Sequence, residues 1–446
     1  MSLLEGMLAI NEGNYNQARG EFDRALAEAE PLKDTFDALV PALAQLPAAL
    51  GSDSPRTYLL AVLNPAELRA SGGAPLSVAV LTFTKGRLAI TDQGQTSTEI
   101  LPGNELVSWR HVTEAPFPSG RQESRFVNAN VHPDFRKSGE ELTRAWRASG
   151  KDGVDGVVAI DTAALVAVLQ ATGPVVTEGF GKVTADNLVA KLVASYQKYG
   201  SDGERQSLND ELATAMIDRL TDGDSLLPVV RALASVAPGR HLQLHMQDPT
   251  LQQTVVDVGF GGAVSSPSGD HAAWFSQNGN ASKTDVFSQR RLAVTAQLED
   301  DGGAQVSQRM QVTNATPADL GDGTRTGYLT DWNYSTWMAY LPAGATEATL
   351  TVPAGWVDPT VWSDGMGRQF LRTGGWLDGG ASADIELTYR LPAGRFPDGS
   401  YRLTVDPQPI LIAPTLAVTV RSGTTTTTVE PGTPLDRIVE VGAAGS

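Results

Sequence analysis

The chain has 446 residues, 41% of them hydrophobic, a net charge of −17 and no cysteine. That length allows two or three domains with sizeable cores. The acidic balance repels phosphate backbones, so no nucleic-acid partner is expected, and the missing thiols exclude disulfides, Cys-ligated zinc and thiol catalysis.

No stretch reaches the ~20 apolar residues of a membrane helix. The opening MSLLEGMLAINEG lacks the basic and then apolar pattern of a signal peptide. Residues 1–52 read as a helical lead-in, with Leu8, Ala18, Phe22 and Ala25 on a 3.6-residue stripe. Residues 53–265 read as an α/β domain. Within it, 57–63 is a continuous apolar run of the buried-strand type, stopped by Asn64-Pro65. Glu67, Arg69 and Gly72-Gly73 follow at that strand end, where open α/β sheets usually bind ligands.

Paired strands are expected over 76–84 and 88–91. Residues 92–135 form a long irregular stretch of the kind that is usually functional. It holds Arg125, Asn128, Asn130, His132 and Asp134. A buried strand over 154–160 leads into a helix capped by Asp161. Helices are expected over 185–199, 204–221 and 225–236, then a strand over 241–246 and a helix opened by Asp248. From about 270, glycine, threonine and alternating residues predict a β-sandwich over 266–422. Residues 423–446, with TTTTTVEPGTP, read as a flexible tail.

Glu67 and Asp134 are the candidate catalytic pair, because glycosyl transfer needs two carboxyls flanking the scissile bond. Arg69 beside Glu67 suits an ionised nucleophile or base. The plainer alternative is that Glu67 bridges Arg69 and Asp134 caps the helix starting near Lys137. Asn64, Arg69, Arg125, Asn128, Asn130 and Arg205 are the candidate substrate-binding residues. A strand over 125–131 would project Asn128 and Asn130 to one side, where amides both donate to and accept from hydroxyls. Arg205 opens a helix, with a surface ion pair as its plainer role. There is no Gly-x-Ser-x-Gly elbow, no phosphate loop and no zinc-ligand spacing; no cofactor is expected.

LNPAELRASGG, NANVHPDF, DGVDGVVAIDTAALVAVLQATGPV, HMQDPTLQQ and NGNASKTDVFSQRRL, in that order, resemble a domain-of-unknown-function family common in membrane-anchored actinobacterial envelope proteins. DGVVAIDTAALVAVLQATGPV also resembles the LytR-CpsA-Psr phosphotransferases. That resemblance implies an α/β fold with a mixed sheet flanked by helices. It also implies transfer of glycan from a lipid pyrophosphate to the wall through Asp, Arg and magnesium. The chain departs from the pattern at its first strand end, which carries Asn64, Glu67 and Arg69 in place of an Arg-Asp dipeptide. The leading expectation is a glycoside hydrolase or transglycosylase acting on envelope polysaccharide, with arabinan-type furanosides suggested by the family context. The alternatives are a LytR-CpsA-Psr-like phosphotransferase and a non-catalytic glycan-binding protein. Expected partners are a polysaccharide, and a membrane only through an anchor outside this sequence. The expected location is the cell envelope or beyond it.

Overall fold

The computed structural model describes residues 44–96, 107–108, 123–198, 202–221, 226–320, 329–430 and 438–442. Most of the expected helical lead-in lies outside the described residues; 44–49 are helical.

The first half is a mixed five-stranded sheet flanked by helices. β1 (Arg56–Arg69), β2 (Gly72–Thr84), β3 (Arg87–Gln95), β6 (Gly156–Asp161) and β9 (Leu242–Met246) lie in the order β3-β2-β1-β6-β9. Only β1 and β6 run parallel, with Leu63 opposite Asp161. Their continuous apolar sequences follow from burial on both faces. Alternation sends Leu59, Ala61 and Leu63 to one face and Tyr58 and Leu60 to the other. The first face packs on α1 (Phe135–Ala148). The second packs on α2 (Thr162–Thr172), α3 (Leu188–Lys198), α4 (Asp202–Thr221) and α5 (Leu226–Val236). α6 (Pro249–Asp257) follows β9, with Asp248 as its N-cap. Two small hairpins complete this half: β4 (Val107–Ser108) with β5 (Glu123–Ser124), and β7 (Val175–Thr177) with β8 (Gly181–Val183).

The structure corrects the expected stop at Asn64-Pro65. β1 continues to Arg69 through a register shift between Asn64 and Leu68. Proline lacks a ladder donor, and the shift gives it a place where none is needed. Gly73 makes the crossing possible: a Cβ there would lie 2.0 Å from the Asn64 carbonyl carbon.

The second half is a β-sandwich. β10 (Asp270–Asn278), β13 (Trp332–Tyr340), β15 (Val357–Ser363), β16 (Gln369–Asp378), β18 (Tyr401–Asp406) and β21 (Ile438–Val441) form one sheet, ordered β15-β16-β13-β10-β18-β21. β11 (Ser288–Leu298), β12 (Ala304–Asn314), β14 (Thr346–Thr351), β17 (Ser382–Leu391), β19 (Thr415–Ser422) and β20 (Thr425–Val429) form the other, ordered β14-β17-β12-β11-β19-β20. Trp337, Ala339 and Leu371 meet Val294, Ile385 and Leu387 between them. The outer face of the first sheet packs Phe275, Met338, Tyr340 and Phe370 against Ala70, Val131 and Val264 of the α/β half.

Residues 423–446 are not simply a flexible tail. β20 pairs with β19 and β21 with β18, because the threonine run is β-branched and favours a strand.

Candidate functional site

Asp134 is the N-cap of α1 and is fully buried. Its carboxylate accepts from Arg136 Nε at 2.8 Å and Nη2 at 2.6 Å, from Arg368 Nη2 at 2.9 Å and from the Val264 amide at 3.1 Å. Its own amide donates to His132 Nδ1 at 2.9 Å. Burial pushes the carboxyl up, but the Arg136 hydrogen bonds and the Arg368 charge hold it well below the usual range. Burial lowers the pKa of His132.

Glu67 lies beyond the β1 bulge, 8% exposed. It accepts from Arg69 Nη2 at 2.9 Å and from Lys283 Nζ. Arg69 also grips Asn128 Oδ1, through Nε at 3.1 Å and Nη2 at 2.9 Å. Lys283 and Asp285 come from the NGNASKTD segment, and Asp285 accepts from the Leu68 amide at 2.9 Å. Burial pushes the Lys283 ammonium down to about 7 and the Asp285 carboxyl up.

Both predicted acids are therefore tied into buried ion pairs that join the two halves of the chain. Nothing in this geometry supports cleavage by paired carboxylates, which needs both acids at an open cleft.

The remaining predicted residues separate. Phe126–Asn128 form a 3-10 turn in place of the expected strand, so alternation does not align the two asparagines. Asn128 serves Arg69, while Asn130 Nδ2 donates to the Gly73 carbonyl at 2.8 Å, fully buried. Arg125 is exposed at the start of that turn. Asn64 lines a pocket. Arg205 stands in α4, four residues before Asn209, which lines the same pocket.

That pocket, with a cavity volume of about 100 Å³, lies between residues 62–64 of β1 and helices α2, α3 and α4. Val62, Leu63, Leu165, Leu188, Leu192, Leu212 and Met216 make it mainly apolar. Asn64, Ser77, Asn209 and Tyr196 supply its polar atoms. The Asn64 amide donates to Tyr196 Oη at 3.1 Å and accepts from the Ala66 amide at 3.0 Å. Asn209 Oδ1 is buried without a hydrogen-bond partner, a state that a bound donor would relieve. The pocket sits where the parallel pairing of β1 and β6 ends, at Leu63 and Asp161, close to the usual ligand position in α/β sheets. At the same end, Asp161 takes a 2.7 Å contact from His241 Nδ1. Burial opposes the charged imidazole there, but the Asp161 charge prevails and raises its pKa.

Sequence reasoning missed Asn209 and Tyr196. Asn209 was legible: Asn209, Leu212, Met216 and Leu220 recur every three or four residues, which puts an amide on the apolar stripe of α4. Among the described residues, no group of three or more His, Asp or Glu is placed to hold a metal ion.

The model of a family described as a protein of unknown function, DUF4012, matches residues 53–196. No curated protein matches the chain. Among solved structures, protein gbs0355 from Streptococcus agalactiae is 16% identical, covers 48% of this chain and 76% of its own, and has a TM-score of 0.33. TagV of B. subtilis is 12% identical over 47% of this chain and 80% of its own, with a TM-score of 0.26. A structure described as TagT bound to LI-WTA is 13% identical over 48% of this chain and 77% of its own, with a TM-score of 0.27. Likeness this distant carries no argument about activity, which rests on the site itself.

Proposed function

We propose that the chain is a cell-envelope protein that handles a lipid-linked glycan, with the lipid tail in the pocket between β1 and helices α2 to α4. The carrying observation is the pocket itself: apolar walls at a parallel strand end, with the unpartnered Asn209 amide oxygen set among them. An apolar chain gains about 0.8 kcal/mol per buried CH₂, so a pocket of this lining favours an isoprenoid over a free sugar. Arg205, one helical turn before Asn209, is the candidate partner for the pyrophosphate. The reaction in this reading moves a glycosyl phosphate from the lipid pyrophosphate to a wall hydroxyl and releases lipid phosphate.

Calorimetry with geranylgeranyl pyrophosphate tests the pocket. Ala213 lines it, and Ala213→Trp fills it. That variant is expected to weaken binding by about tenfold or more, which is ~1.4 kcal/mol; equal affinity in both proteins rejects the reading. Incubation with a lipid-linked glycan and wall acceptor, with and without chelator, then separates transfer from binding.

A further inference from the structure

A second site lies on the sandwich, away from the pocket. β13 and β16 send Met338, Tyr340 and Phe370 toward the α/β half. Alternation places Trp332, Tyr334 and Trp376 on that same face, further along both strands. Trp376 is 53% exposed, and Trp332 and Tyr334 beside it are half-buried. The three rings touch, Tyr334 with Trp376 at 4.6 Å and 54°, and Trp332 with Trp376 at 5.0 Å and 58°.

Two glycines make the platform. A Cβ at Gly279 would lie 2.4 Å from Tyr334 Cδ1, and one at Gly374 would lie 2.9 Å from its hydroxyl. Tyr334 therefore lies down across the sheet from the end of β10 to β16, where an ordinary side chain would lift it. It supports Trp376, the exposed ring of the three, at 4.6 Å.

We infer that Trp332, Tyr334 and Trp376 form a binding platform for a neutral saccharide chain. The electron-rich ring faces suit the polarised C–H faces of a sugar. Polar groups that a sugar needs flank the rings. Asp378 stands opposite Trp332 in register, Asp331 precedes it, and both are exposed. Arg372 lies on the same face of β16 as Trp376, two alternate positions away. Carboxylates accept from hydroxyls and a guanidinium donates to them. The acidic rim and the net charge of −17 oppose a polyanion. A quaternary ammonium needs a gap between the rings, and rings in mutual contact leave none.

The inference is independent of the lipid pocket and is tested separately, by calorimetry on the full chain with maltohexaose, cellohexaose and hexagalacturonate. At least one neutral hexasaccharide is expected to bind, more tightly than the acidic one. Trp376→Ala and Trp376→Gln should each weaken it about tenfold, with the melting temperature kept. Val361→Ala, at an exposed position elsewhere on the sheet, and the pocket-filling Ala213→Trp should leave it unchanged. Failure of both neutral sugars to bind, tighter binding of hexagalacturonate, or full affinity in both Trp376 variants overturns the inference.

Discussion

Asn64 and Glu67 are three residues apart on one strand, yet they occupy opposite kinds of environment. Asn64 faces a mainly apolar pocket with room for a ligand. Glu67, past the bulge, is sealed against Arg69 and Lys283 where the sandwich docks. The bulge is what separates them: it shifts the register between Asn64 and Leu68, and the strand beyond it runs into the joint with the sandwich. A carboxylate near a strand end thus becomes structural when another part of the chain supplies its counter-charges. A neutral amide earlier on the same strand lines the pocket instead.

This contrast is sharpest if broken on the charged side. Glu67→Ala leaves Lys283 and Arg69 buried without their partner, a change of about 3–5 kcal/mol. Urea denaturation reads it as a lower midpoint, and Glu67→Leu combined with Lys283→Met should recover most of the loss. A stable Glu67→Ala protein with its affinity for geranylgeranyl pyrophosphate lost would move Glu67 back to the binding site.

Asp134 gives the next largest effect, and it depends on pH. Its folded pKa is depressed from 3.8, so its contribution is fully present above that value and disappears as pH falls through the lower folded one. Acid unfolding of the natural protein should therefore steepen below about pH 4, while Asp134→Asn should start less stable at neutral pH and show a flatter acid limb. Parallel acid limbs would contradict the arginine clamp.

The smallest effect belongs to the pocket side. Asn64→Ala removes the bonds to Tyr196 and the Ala66 amide, worth about 1 kcal/mol of stability. It should shift affinity for the isoprenoid pyrophosphate more than it shifts the unfolding midpoint. A stability loss as large as that of Glu67→Ala would erase the distinction between the two sides of the bulge.

Much of the fold was readable from local rules. The apolar runs of β1 and β6, the Asp161 and Asp248 caps and the spans of α2 to α5 follow from periodicity and capping alone. The plainer roles considered for Glu67, bridging Arg69, and for Asp134, capping a helix, are both present in the structure. β10 escaped notice because it is buried almost throughout and carries no alternation to read. The threonine run looked like a linker because its partner β19 is needed to make it a strand.

By itself, then, the sequence determined the α/β half, the β-rich half and the local identity of most helices, since hydrophobic period and capping act within a few residues of each other. Tertiary structure decided which polar residues are free. Lys283 reaches Glu67 across 216 residues and Arg368 reaches Asp134 across 234. Charge pairing at such separations depends on how two layers dock, and no short-range pattern encodes it.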